Sequence, residues 1–311
     1  MHTISSSTSS VANIQSLDID QDGDMDIIAA DNVADELIWL ENTSSGLTWV
    51  KHTIDNGTDI ERAWDFDTAD IDNDGDMDLF VANGKNQEEN NSLYINNGNG
   101  GFSKVFNSSI VNDKGRSFGS AFQDFDNDGY LDIVVANFQQ QNFLYKGTGD
   151  GTFVKLQTSP IMNEYESMDS FLDKISSSAC AWGDYNLDGF SDLIITNRGG
   201  VDNFLYENSG NSNNWLRLKL VGNSSNTSGI GAKLLMEADG EIQSREIFSQ
   251  TGFAGQNELI VNFGLGNKTI VDNIEIRWPS GIIQKLSNIE VNQSMEIFEF
   301  ENGVSANGVI A

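Results

Sequence analysis

The sequence predicts an all-β protein: a β-propeller of four-stranded blades, four of them recognisable, followed by a small β-sandwich or β-barrel domain. Three observations carry that expectation. An aspartate-rich phrase recurs as DIDQDGDMDIIAAD from Asp18, DIDNDGDMDLFVAN from Asp70, DFDNDGYLDIVVAN from Asp124 and DYNLDGFSDLIITN from Asp184, at spacings of 52, 54 and 60 residues. Such a period is one supersecondary unit plus variable loops. Each copy passes at once into a run apolar on both faces (IIAA, LFVA, IVVA, LIIT), which reads as a strand buried on both sides. Beyond Asn214 the period stops, yet alternating strand patterns and tight-turn signals continue.

Within each unit the elements follow one order. A short strand leads in (ANIQSL, AWDFDTA, SFGSAFQ, SSSACAWG), then come the acidic loop, the doubly apolar strand and an aromatic-bearing strand (LIWLEN, LYINN, FLYKG, FLYEN). A Gly/Asn turn precedes a fourth strand in three units (TWVKHTI, GFSKVF, TFVKLQ). Repeated antiparallel four-strand units are how a propeller is written. The units fall at about 11–55, 62–110, 116–158 and 177–213, after a disordered or truncated stretch 1–10. Residues 214–301 form the second domain and 302–311 a tail; NWLRLKLVG opens that domain as a strand with its apolar residues inward and its basic ones outward. ADGE and PSG are its hairpin turns.

Why the chain crowds carboxylates beside a buried strand is a question of ligand chemistry. Loop positions 1, 3, 5 and 9 carry oxygen side chains, position 6 is always glycine, and the position 7 carbonyl is a further ligand. The candidate metal ligands are therefore Asp18, Asp20, Asp22, Asp24 and Asp26 in loop one and Asp70, Asp72, Asp74, Asp76 and Asp78 in loop two. Loop three offers Asp124, Asp126, Asp128, Tyr130 and Asp132, and loop four Asp184, Asn186, Asp188, Phe190 and Asp192. Glycine at position 6 lets the backbone curl with positive φ, so that alternate side chains converge. Hard oxygen ligands in this number suit Ca²⁺, about four ions in all, one per loop. Without a cation, carboxylates ~5 Å apart repel by ~1–3 kcal/mol per pair. An EF-hand would need a bidentate Glu at position 12; here that position is Ala29, Val81, Val135 and Ile195, inside the apolar strand. The position 9 aspartate closes the loop instead, and loop four is the weakest because Asn186 replaces an aspartate.

These D-x-[DN]-x-D-G-x-x-D loops, the strands behind them and turns such as GTGDGTF at Gly147–Phe153 resemble the FG-GAP/VCBS repeats of integrin-alpha-like propellers over about Val11–Asn214. The resemblance implies structural Ca²⁺ on the propeller rim. Such propellers usually have seven blades, so a closed four-blade ring and part of a larger ring both stay open. The second domain resembles the ASPIC/UnbV domain, which follows such repeats in cartilage acidic protein and bacterial relatives. The matching residues are Asn214–Leu216, Gly229–Ala232, Gly252–Phe253, Gln256–Asn257, Phe263–Gly266, Val271–Asp272, Arg277–Gly281 and Asn292–Gln293.

Composition narrows the function. Of 311 residues 47 are acidic and 17 basic, a formal charge of -30, the opposite of a nucleic-acid binder and repelled by anionic membrane surfaces. No apolar run has the length of a membrane span. One cysteine, Cys180, excludes an internal disulfide framework and reads as a buried, inert thiol. With His2 and His52 as the only histidines, a hydrolytic triad or zinc centre has no parts, and no P-loop lysine follows the glycine-rich stretches. Arg277, Trp278 and Gln256 are the residues of an alternative ligand pocket, and 159–177 an insertion with helical apolar spacing. The leading expectation is a non-catalytic, extracellular, cell-surface or periplasmic calcium-binding module for a glycan, matrix or protein ligand. No signal peptide is visible, so export is directed from elsewhere or the chain is a piece of a longer one. Two rivals stay open: a polysaccharide hydrolase or lyase with a site on the propeller face, and a structural segment of a larger surface protein.

Overall fold

The structure is a computed structural model that describes residues 11–31, 34–43, 46, 48–57, 63, 65–84, 88–163, 176–300 and 308–309. The expectations for 1–10, for most of the tail 302–311 and for most of the 159–177 insertion lie outside those residues. Four antiparallel sheets follow one another. The first holds β1 (Val11–Leu17), β2 (Asp26–Asp31), β3 (Glu36–Asn42) and β4 (Trp49–Asp55) in chain order. Next come β5 (Asp65–Ala69), β6 (Asp78–Ala82), the short β7 (Glu89–Asn90), β8 (Ser92–Asn96), β9 (Phe102–Lys104), helix α1 (Ser109–Asn112) and β10 (Lys114–Gly115). Blade two is β5-β6-β8-β9. The polar stretch around 83–92 reads from sequence as a solvated loop, but β7 pairs with β10 and so ties blade two to the approach of blade three.

Blade three comprises β11 (Ser117–Gln123), β12 (Asp132–Asn137), β13 (Phe143–Gly147) and β14 (Phe153–Lys155). After the short α2 (Pro160–Asn163), blade four has three strands, β15 (Ser177–Gly183), β16 (Asp192–Asn197) and β17 (Phe204–Tyr206).

The doubly apolar runs are explained by what lies on either side of each second strand. Ile133 and Val135 of β12 pack towards Phe80 and Leu93 of blade two, while Val134 packs towards Cys180, Leu193 and Ile195 of blade four. Blade one meets blade two in the same way, through Ile28, Leu37 and Trp39 against Phe66, Leu79 and Tyr94. The last blade has less cover: Ile194 and Leu205, paired across β16 and β17, are 41% and 57% exposed, whereas their counterparts Val134 and Leu144 are buried.

The C-terminal part is a sandwich. One sheet runs in the order β21-β18-β24-β25, from β18 (Asn214–Val221), β21 (Ile260–Gly266), β24 (Gln293–Phe298) and β25 (Gly308–Val309). The other runs β20-β19-β22-β23, from β19 (Lys233–Ala238), β20 (Glu241–Glu246), β22 (Ile270–Arg277) and β23 (Ile283–Glu290). Their inner faces share one core, with Leu216, Leu218 and Phe263 against Leu234, Met236 and Ile274. The expected turns join β19 to β20 and β22 to β23, the latter closed by Gly281 N–H donating to the Trp278 carbonyl at 2.9 Å. One expectation for β18 is corrected. Lys219 points outward, but Arg217 is 1% exposed, because its guanidinium enters the seam between the sandwich and the blades.

Candidate metal centres at the domain interface

All four acidic loops fold alike. The position 6 glycine donates its N–H to Oδ2 of the first aspartate, Gly23 to Asp18 at 3.2 Å, Gly75 to Asp70 at 3.2 Å, Gly129 to Asp124 at 2.9 Å and Gly189 to Asp184 at 2.8 Å. That glycine has φ between +89° and +101° in every copy. Position 4 is also left-handed, at Gln21, Asn73, Asn127 and Leu187, with φ between +56° and +62°. Sequence reading misses this second inversion, since only asparagine signals it. The position 9 aspartates bind backbone on two sides. Asp78, for example, accepts from Ile71 N–H at 3.0 Å and from Asn96 N–H, at the end of β8, at 2.8 Å. Asn96 then donates from Nδ2 to the Ile19 carbonyl at 3.1 Å, which links loop one to blade two.

Three of the loops gather carboxylate oxygens within 4.8 Å of one another: Asp18, Asp20 and Asp22; Asp70, Asp72 and Asp78; and Asp124, Asp126 and Asp132. The remaining candidates play other parts. Asp74 and Asp128 accept the N–H of Asp76 and Tyr130 at 2.9 and 3.0 Å and shape the turn. The Asp76 side chain contacts Gln21 of loop one, and Asp26 ties Ile19 N–H to Asn42 N–H. For Asp24, Asp76, Tyr130 and Phe190 the expected ligand is the carbonyl.

Burial is costly for these carboxylates. Removal from water pushes Asp70 up to about 7, Asp78 up to about 8 and Asp124 up to about 7, and Asp132 well above the usual range. Asp70 is 2% exposed, yet its Oδ1 has no hydrogen-bond partner; Asp18 Oδ1 and Asp126 Oδ1 are likewise buried without one. A buried carboxylate oxygen with no donor is unstable unless a cation meets it. The donor sets of loops one to three therefore fit a hard divalent ion, and Asp70, Asp72 and Asp78 would hold it in loop two. In loop three the ammonium of Lys146 already touches Asp126 and lies 2.9 Å from Asp128 Oδ2.

Loop four differs. Its carboxylates form no such group. Asp184 accepts from Asp188 N–H and Gly189 N–H, and its Oδ2 lies 2.8 Å from Nη1 of Arg217. The other guanidinium arm donates to Glu258 Oε1 at 2.6 Å, and that oxygen also accepts the Asp184 N–H at 3.1 Å. Asn186, Asp188 and Asp192 are satisfied within the loop, from Asp188 N–H to Asn186 Oδ1, Phe190 N–H to Asp188 and Tyr185 N–H to Asp192.

The sandwich thus sits on the acidic-loop end of the blades. Lys233 Nζ donates to the Gly75 carbonyl at 2.7 Å, Asn262 Nδ2 to Asn127 Oδ1 at 2.9 Å, and Gly266 N–H to the Asn127 carbonyl at 2.8 Å. The positive charge of Arg245 is felt at Asp70 and Asp124. The segment 247–259, between β20 and β21, reaches the first strand of all four blades. Gln250 donates to Asn13 Oδ1 of β1 at 3.2 Å, and the Phe253 backbone bonds Asp65 of β5. Asn257 donates to the Phe122 carbonyl of β11 at 3.1 Å and accepts from Trp182 N–H of β15 at 2.9 Å. Gly252, at φ +67°, is required there, since a Cβ would stand 2.2 Å from the Ser120 carbonyl oxygen. Gly252 and Asn257 were legible as family-matching positions, but their role as a pin across the blades was not.

The alternative pocket is not assembled. Trp278 is buried in the sandwich core with its Nε1 on Gln284, Gln256 is exposed, and Arg277 pairs with Glu275 at 2.8 Å, as its neighbourhood suggests. Cys180 is buried between blades three and four, and burial pushes its thiol well up. His52 stacks on Trp39 at 4.4 Å and reaches Glu41. No helix among the described residues is long and apolar enough to cross a membrane.

Blades that present one acidic loop each, capped by a β-sandwich, define a repeat-propeller protein. The model of the FG-GAP-like repeat matches residues 18–81, 70–135 and 124–195, and that of ASPIC and UnbV matches 222–304. The chain belongs to the FG-GAP-like repeat family and carries an ASPIC/UnbV domain C-terminal to the repeats. No curated protein matches it. Among solved structures, BBS1N in complex with ARL6DN, soaked with lead, aligns over 99% of this chain and 78% of its own at 14% identity and a TM-score of 0.37. The same complex soaked with mercury aligns over 97% and 74% at 11% identity and a TM-score of 0.35.

Proposed function

We propose that this protein is a non-catalytic binding module whose blades and sandwich are held together by structural Ca²⁺. One observation carries the reading: Asp70, whose buried Oδ1 has no partner, groups with Asp72 and Asp78 through carboxylate oxygens within 4.8 Å of one another. A divalent ion there would satisfy the orphan oxygen and hold the loop carboxylates ionised at neutral pH. At dissociation constants of ~10⁻⁴–10⁻³ M, typical of extracellular modules, a tenfold ion excess contributes ~1.4 kcal/mol per loop. Such affinities favour an extracytoplasmic location, since cytosolic Ca²⁺ would leave the loops empty. The partner is an extracellular glycan or protein, met by blade surface that the sandwich leaves free.

Thermal melting of the full chain in Ca²⁺ and in EGTA tests the metal reading. The melting temperature rises with Ca²⁺ and not with an equal concentration of Mg²⁺, whose octahedral demand the loops do not meet. An unchanged melting temperature on chelation would remove structural calcium. Glycan-array and pull-down screening of the loaded form then addresses the partner.

A further inference from the structure

Loops one to three each leave one buried carboxylate oxygen without a partner: Asp18 Oδ1, Asp70 Oδ1 and Asp126 Oδ1. Loop four leaves none, although its backbone follows the same course. In loop four Asp188 N–H, at 3.1 Å, satisfies Oδ1 of the first aspartate, and the countercharge on its Oδ2 comes from the sandwich. Arg217 Nη1 stands 2.8 Å from Asp184 Oδ2, with Arg217 and Asp184 side chains 1% and 0% exposed. Glu258 receives both the second guanidinium arm and the Asp184 N–H, so three residues from two regions of the chain close one ring of charge-assisted bonds.

We infer that loop four has given up metal binding and instead clasps the ASPIC/UnbV domain to the blades, with the Arg217 guanidinium neutralising its first aspartate at Oδ2. This rests on the calcium reading for the number of ions, three rather than four, but not for the clasp itself. A guanidinium is planar, permanently charged and able to bridge two carboxylates at once. A divalent ion on Asp184 would have to displace it from a buried pairing with Asp184 and Glu258. The clasp is therefore independent of calcium. Chelation empties loops one to three while the sandwich stays attached at blade four.

Two measurements on the full chain test this. Native mass spectrometry counts Ca²⁺ on the wild type and on the variants Asp72→Asn and Asp188→Asn. Asp188 touches neither Arg217 nor Glu258, so its amide leaves the clasp whole while removing a ligand that any ion in loop four would need. The expected counts are three for the wild type, two for Asp72→Asn and three for Asp188→Asn. Four ions on the wild type, or a loss on Asp188→Asn, overturns the inference; no ions at all overturns the calcium reading and leaves the clasp to the second measurement. That measurement is the rate of cleavage by a glutamyl endopeptidase after Glu207, between β17 and β18, in Ca²⁺ and in EGTA. Arg217→Met raises it roughly tenfold or more in both, and Glu258→Gln, which keeps the acceptor oxygen and loses the charge, raises it less but again in both. A wild-type rate for Glu258→Gln, or an effect of either variant confined to EGTA, overturns the clasp.

Discussion

In loop two the first aspartate keeps Oδ1 buried and unpartnered, whereas in loop four the equivalent Asp184 accepts two backbone N–H groups and binds Arg217. The two loops share their glycine, their left-handed fourth residue and their position 9 aspartate. What separates them is Asn186 in place of Asp72, the Asp188 N–H on Asp184 Oδ1, and the side chain that the sandwich lowers onto each. Above loop two, Lys233 meets a backbone carbonyl and Arg245 acts on Asp70 through space, so the carboxylates keep room for an ion. Above loop four, a guanidinium makes direct contact. One repeat can thus build an ion cradle or a salt-bridged clasp, according to what its neighbour offers.

The comparison breaks most severely at Arg217. Arg217→Met leaves Asp184 buried without a countercharge and costs about 3–5 kcal/mol of unfolding free energy, with equal losses in Ca²⁺ and in EGTA by urea denaturation. Next in size is a pH effect that belongs to neither loop. Burial pushes Asp65 up to about 8 and Asp67 up to about 7. Their folded pKa values exceed the unfolded ones, so the stability they contribute is complete below the unfolded pKa and lost as pH rises through 7 and 8. With Ca²⁺ saturating, the melting temperature falls between pH 5 and 8, and Asp67→Asn, which cannot ionise, removes on the order of 3 kcal/mol of that dependence.

A smaller change sharpens the contrast. Asp70→Asn still accepts the Gly75 N–H but loses the ion, so it costs about 1–2 kcal/mol in Ca²⁺ and nothing in EGTA, the reverse of the Arg217 pattern. Smallest is Leu187→Gly in loop four. Leu187 stands at φ +62° and is 75% exposed, so glycine relieves strain without loss of packing. The expected gain is about 1 kcal/mol, with the ion count unchanged.

Much of the fold was legible because each blade repeats its own instructions. The loop glycines, the turns at Asp239–Gly240 and Pro279–Gly281 and the doubly apolar second strands all follow from local patterns that the structure keeps. The alternation in β18 was legible for Leu216, Leu218 and Lys219 and misleading for Arg217, because a basic residue on the outward face reads as solvated until another domain covers it. The fourth strand of blade four had no clear sequence counterpart, and none forms among the described residues. Likewise the polar 83–92 stretch concealed β7, whose two-residue pairing with β10 is too short to leave a period.

The sequence by itself determined the all-β class, the repeat length, the four acidic loops and the order of the two regions, because periodicity and turn chemistry act over a few neighbouring residues. Only the tertiary structure decided that one of these loops is closed by an arginine. That choice depends on residues far apart in the chain, Asp184 with Arg217 and Glu258, brought together when the sandwich docks. Whether a buried carboxylate is paired is a property of its surroundings after folding, and no local pattern records it.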